Sequence, residues 1–170
     1  MQLYCNFTHN SHHTGMIELD PADLRLLAAL QRQGRASNIL LAEAVAASPS
    51  QVGRRLARLE EAGVIEGYAA LLRPEAVGLS VMAITLVSLE RHAEEIVQGF
   101  QTLVHQAPEI LDCYSITGEA DFMLRIVAAD LGQFADFISR RLLRVPGMRS
   151  VRSSIVLQRI KHTTALPLPG

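Results

Sequence analysis

The chain has 170 residues, of which 49% are hydrophobic, with no Trp and a formal net charge of -1. That length supports one large domain or two small ones with their own cores, and no apolar run approaches the length of a membrane-spanning helix. Near-neutral charge argues against a general polyanion binder but leaves room for cations concentrated on one element. The N-terminus lacks the apolar region of a secretory signal, and Cys5 and Cys113 match no metal spacing. A cytoplasmic protein with reduced thiols is therefore expected.

Residues 1–15, "MQLYCNFTHNSHHTG", show no periodicity and read as a disordered tail. His9, His12, His13 and Cys5 are too irregularly spaced to suggest a metal site. Met16 opens the patterned part of the chain. In "DPAD", Asp20 is an N-cap, Pro21 the first helical residue and Asp23 a first-turn acid; Leu24, Leu27 and Leu30 then recur at helical spacing until Gly34. A second short helix starts near Ser37. A third starts at Ser48, where Ser48 and Gln51 form a capping box around Pro49, and ends at Gly63. Three short helices with a tight second connection describe a helix-turn-helix. "VIEGYAALLRPEAVG" reads as a short β-wing and linker.

Beyond residue 80 the period changes. "VMAITLVSL" (81–89) is strand-like, Ile96 to Val104 mark a helix, and "ILDCYSIT" (110–117) and "DFMLRIVAA" (121–129) form a hairpin. Leu131, Phe134, Ile138 and Leu142 mark another helix, stopped at Pro146-Gly147, and "VRSSIVLQRI" (151–160) is a final strand. The order βαββαβ is ferredoxin-like. The fold class is thus α+β. The expected divisions are a disordered tail (1–15), a winged helix-turn-helix domain (16–66), a wing and linker (67–80), a ferredoxin-like domain (81–162) and a flexible tail (163–170).

On a helix of 3.6 residues per turn, Val52, Leu56 and Leu59 share one face of the third helix, while Gln51, Arg54 and Arg58 form a stripe on the other, with Ser50 and Arg55 at its margins. An apolar back with a Gln/Arg front can offer paired donors to base edges and cations to phosphates. The capped N-terminus also presents free N–H groups to a phosphate. A solvated amphipathic helix, its arginines paired with Glu60 and Glu61, would show the same pattern. The tri-helical context favours DNA, and seven Arg against eight acidic residues over 16–80 mark localised rather than spread cations.

"LDPADLRLLAALQRQGRASNILLAEAVAASPSQVGRRLARLEEAGVIEGYAALLRPEAVGL", with "ITGEADFMLRI" and "LLRVPGMRSVRSSIVLQRIK", resembles the leucine-responsive/asparagine-responsive (Lrp/AsnC) transcriptional regulators from about Leu19 to Lys161. The resemblance implies a winged helix-turn-helix bound to double-stranded DNA, and a βαββαβ domain that forms homodimers and octamers and responds to a small effector, usually an amino acid. It assigns DNA contact to Ser50, Gln51, Arg54, Arg55 and Arg58. It places effector response at Ser115, Thr117, the Gly118 and Asp121 turn, Leu131, Ser154, Ile155 and Val156. Ser154 stands where the leucine-responsive member has an aromatic, which argues against leucine.

The residues of "SITGEAD" admit two readings. Asp121 could hold an amino acid's ammonium while the backbone near Gly118 holds its carboxylate; or the segment is a plain hairpin turn. The rival from another class is a tetrapyrrole (sirohaem-type) decarboxylase of the same architecture, which is expected to carry a basic, His-bearing motif after the wing. Residues 63–80 contain only Arg73 and no His, and His92, His105 and His162 are isolated. Hence no catalytic residue, cofactor or metal is expected.

Overall fold

The computed structural model describes residues 17–90 and 93–169. The expected N-terminal tail, its Cys5 and histidines, and His92 lie outside these. The chain divides into two units, one built from residues up to Ala70 together with the segment from His162, the other from Leu71 to Lys161.

The first unit holds three helices, α1 (Pro21–Arg32), α2 (Asn38–Val45) and α3 (Pro49–Glu61). Each begins where a side chain takes up a free backbone N–H: Asp20 accepts from Asp23 N, Ser37 from Leu40 N and Ser48 from Gln51 N. The expected capping box of α3 is present, and α1 has one as well, because Asp23 reaches back to the Asp20 N–H. Leu26, Leu41, Val45, Val52 and Leu59 form the core, with Leu56 packed at its edge. Burying three apolar stripes against one another holds these short helices, since none is long enough to be stable alone.

After α3, Val64 and Ile65 still pack on that core, and the Tyr68 hydroxyl donates to Glu60 Oε1 at 2.7 Å. Burial and the neighbouring carboxylate push the Tyr68 pKa up to about 12. Among the described residues no strand lies between α3 and residue 81, where a β-wing was expected; a 3₁₀ turn at Pro74–Val77 stands there instead. Among the described residues no strand pairs with this segment. Segment 163–169, read from the sequence as a flexible tail, lacks regular secondary structure, yet Gln31 hydrogen-bonds Leu166 and Leu168 packs on the helical core.

The second unit is one antiparallel sheet of β1 (Val81–Leu89), β2 (Ile110–Ser115), β3 (Phe122–Ala128) and β4 (Met148–Ile155), with α4 (Glu94–Gln106) after β1 and α5 (Leu131–Arg140) after β3. The sheet order β2-β3-β1-β4 is that of the split βαβ arrangement. Alternation along β1 sends Ala83, Thr85, Val87 and Leu89 to the helix-covered side. They meet Leu124, Ile126, Phe134, Phe137 and the tilted ring pair Phe100 and Phe122, whose centres are 4.6 Å apart. Cys113 also packs there, and burial pushes its thiol up to about 11, so it is a packing group at neutral pH.

Two boundaries differ from the sequence reading. The last helix ends at Arg140, and Leu142 is buried from a separate 3₁₀ turn. The final strand runs from Met148 to Ile155 rather than over 151–160 because β1 sets its length: Leu89 pairs with Met148 and Ala83 with Ile155, after which only the Val156 N–H bonds Met82. Pro146-Gly147, expected to stop the last helix, instead forms the turn into β4. Gly147 has φ +74°, and a side chain there would strike Ile96 at 2.6 Å. No helix among the described residues is long and apolar enough to cross a membrane.

Candidate nucleic-acid interface and effector site

The capping box fixes the start of α3. The Gln51 N–H donates to Ser48 Oγ at 3.3 Å, and the Ser48 N–H donates to Gln51 Oε1 at 3.0 Å. Ser50 Oγ lies 3.1 Å from Ser48 Oγ. Gln51 therefore spends its carbonyl oxygen on the cap and keeps its amide N–H donors. All five expected DNA contacts are at least partly exposed; Ser50, Gln51, Arg54 and Arg58 sit away from the buried Val52 and Leu59, whereas Arg55 borders that packed face.

The arginines do not form one open stripe. Arg55 Nη1 donates to Asp20 Oδ2 at 2.6 Å and to Asp23 Oδ1 at 2.7 Å, and Arg58 Nη2 donates to Asp23 Oδ2. Asp23 has no exposed surface, whereas the arginine side chains are one third to one half exposed. Burial alone would raise the Asp23 carboxyl, but hydrogen bonds from Arg55, the Asp20 N–H and Arg58 outweigh it and hold it below the usual range. Arg55 does the same for Asp20. Two acids thus neutralise two arginines, and the arginine of α3 left over is Arg54, which is exposed and has no ion-pair partner among the described residues.

Neither Arg55 nor Arg58 pairs with Glu60 or Glu61, the partners a solvated helix would have used. The clamp was missed because Asp20 and Asp23 lie more than thirty residues before Arg55. The cap signature accounts for both acids locally. The one further signal is the acid pair at the start of a helix that must pack against an arginine-bearing one.

The eight expected effector residues fall into two groups. Ser115, Thr117, Gly118 and Asp121 lie at the hairpin end of the sheet, where Ser115 pairs with Phe122 and Phe122 with Val87. Leu131, Ser154, Ile155 and Val156 lie toward the other end, where Ile155 pairs with Ala83 and Leu131 follows β3. Val87 lies four strand positions from Ala83, about 13 Å. Moreover, Ser154 and Ile155 face opposite sides of β4. One copy of the chain does not bring all eight together.

Asp121 is committed to the fold. Its Oδ2 accepts the Leu89 N–H at 2.7 Å, its own N–H donates to Val87 O at 2.9 Å, and its carbonyl accepts the Ile116 N–H at 3.0 Å. The hairpin is thereby pinned to the end of β1. Gly118 has φ +116° with open space around it, so backbone angle and not crowding requires glycine there. A hollow of about 350 Å³ in the helical unit, lined by Leu30, Leu41, Leu56, Glu60 and Tyr68 among others, involves none of these effector residues.

Comparison with known proteins bears on both units. Residues 19–66 match the family described as winged helix-turn-helix DNA-binding, and residues 82–166 match the Lrp/AsnC ligand binding domain. The chain is similar to the DNA-binding transcriptional activator DecR of Escherichia coli, at 39% identity over 88% of this chain and 99% of that protein. The leucine-responsive regulatory protein of Haemophilus influenzae is 35% identical over 88% of this chain and 90% of its own length. Among solved structures, a transcriptional regulator of Neisseria meningitidis in complex with L-methionine superposes with a TM-score of 0.85 at 43% identity, covering 88% of this chain and 97% of that one.

Proposed function

The chain belongs to the Lrp/AsnC family of DNA-binding transcriptional regulators, and from that premise we propose that it binds specific double-stranded DNA through α3 and answers to a free amino acid. Arg54 reads base edges beside Ser50 and Gln51. Arg55 and Arg58, steadied by the acid pair, turn their remaining donors to phosphates. The observation that carries this reading is the exposed Arg54 with no ion-pair partner among the described residues, one turn inside a helix whose start is fixed by a capping box.

The effector site is completed by a second copy, with Ser115, Thr117, Gly118 and Asp121 from one chain facing Leu131, Ser154, Ile155 and Val156 from another. Exposed apolar side chains support homodimers and octamers: Leu157 is 97% exposed and Ile160 85% exposed. The ligand of the Neisseria relative points to apolar amino acids, methionine first. Regulation rather than catalysis, in the cytoplasm where the DNA is, accords with the matched relatives.

A thermal-shift screen of the twenty amino acids tests the effector half, because a ligand that binds only the native state must raise the midpoint. A shift confined to one or a few apolar amino acids is expected. No shift with any of them would defeat the amino-acid reading. Gel-shift titration on the gene's own upstream DNA tests the other half.

A further inference from the structure

After its last strand the chain returns to the helical unit, to which the segment from His162 belongs. Gln31, in the last turn of α1, spends both ends of its side-chain amide on one residue of that segment. Nε2 donates to Leu166 O at 3.2 Å, and Oε1 accepts from Leu166 N at 2.6 Å. One amide thus reads the donor and acceptor of a single residue, as a neighbouring strand would. Two residues on, half-buried Leu168 packs against the core cluster of Leu26, Leu41 and Val52.

The local sequence suits this role. Thr163 Oγ1 accepts the Ala165 N–H at 3.1 Å, a turn that starts the segment. Pro167 and Pro169 fix their own φ near −65°, so less chain entropy is lost on docking than for an unrestricted sequence. Proline-spaced extended segments are a recurrent docking form for that reason.

We propose that the surface of α1 around Gln31 is a docking site for an extended Leu-Pro-Leu-Pro segment, and that its occupant is the C-terminus of the same chain. The DNA-binding unit is then tied to the sheet unit twice, through residues 67–80 and again through residues 156–162. Two hydrogen bonds and one leucine make a weak contact between separate molecules. The covalent tether supplies an effective concentration on the order of millimolar, which makes so small a contact sufficient. Only seven residues separate Ile155 from Thr163, a reach of at most about 25 Å. The end of β4 is therefore joined to α1 by a short path separate from the 67–80 linker, through which a change at β4 can bear on α1. That last step rests on the effector reading of β4, whereas the docking does not.

Hydrogen–deuterium exchange tests the docking in the full chain, in a chain ending at His162, and in the full chain carrying Leu168→Asp. Peptides covering Leu24–Arg32 should exchange about tenfold faster in both variants, with β1 and β3 unchanged. A synthetic peptide of residues 163–170 at millimolar concentration should restore protection to the shortened chain, and the same peptide with Leu168→Asp should not. Should the shortened chain fail to fold, the point variant gives the same reading. Unchanged exchange in α1, or equal effects of the two peptides, overturns the proposal.

Discussion

The five side chains assigned to DNA occupy nine consecutive positions of one helix, Ser50 to Arg58, whereas the eight assigned to the effector are spread over a hairpin, a helix start and the end of a strand. Each region contains an aspartate that the fold has claimed. Asp23 holds Arg55 and Arg58 from behind the DNA-facing helix, and Asp121 holds the Leu89 N–H from within the effector turn. In the first region the structural carboxylate leaves one arginine unpaired for the ligand. In the second it is itself a proposed ligand group. A compact, single-element site can delegate its support to a neighbour, while a dispersed one has to draw support and contact from the same residues.

That contrast predicts opposite outcomes for two alanine variants. Asp23→Ala removes half of a capping box and the buried partner of two arginines. The arginines are partly exposed and regain water, so the cost falls below that of breaking a fully buried pair, at about 2–3 kcal/mol. Amide exchange should show the loss in α1–α3 and not in the sheet. Asp121→Ala leaves the Leu89 N–H without its partner and should cost the sheet unit about 1–3 kcal/mol. It should also abolish the amino-acid response while DNA affinity stays near wild type. Asp136→Ala, which loses only a solvent-exposed i,i+4 pair with Arg140, is the control for that variant. Asp112→Ala is unsuitable because Asp112 is paired with Arg125. A full ligand-induced thermal shift in Asp121→Ala would make the turn merely structural.

Acid should act on the clamp in a defined direction. The folded-state pKa values of Asp20 and Asp23 lie below the ordinary 3.8. The stability they contribute is therefore complete above about pH 4 and lost as pH falls through the folded values. Circular dichroism and thermal melts from pH 6 down to pH 3, combined with exchange in α1–α3, should show the helical unit losing stability below about pH 4. A helical unit as stable at pH 3 as at pH 6 would break the link between clamp and fold.

What was legible in the sequence follows the same contrast. The caps at Asp20 and Ser48, the start of α2 near Ser37 and the apolar back of α3 are local, and each was legible in a few adjacent residues. The ends of β4 were not, because pairing with β1 decides them. The Asp23 clamp was hidden for the same reason: its chemistry appears only when two helices far apart in the chain are packed together. Apart from Asp121 and Gly118, whose chemistry also suits an amino acid, the effector residues follow from resemblance alone, and their division between two ends of the sheet requires the strand register to be known.

The smallest expected effect sharpens the division among the arginines. Asp20→Asn takes one negative charge from a cluster that now sums to zero. The slope of log affinity against log salt on nonspecific DNA should steepen by up to about 1, with little change in fold. An unchanged slope would mean that Arg55 already counts as a free cation.

The most direct test compares Arg54→Ala with Arg58→Ala, measuring operator affinity by gel-shift titration and folding by thermal melt on the same preparations. Arg54→Ala should weaken operator binding by about 1–3 kcal/mol, roughly 5- to 150-fold, with the melting midpoint unchanged. Arg58→Ala should lower the midpoint through loss of its contact with Asp23 and weaken operator binding less than Arg54→Ala does. Wild-type operator affinity in Arg54→Ala, or a larger loss of affinity in Arg58→Ala than in Arg54→Ala, would contradict the account.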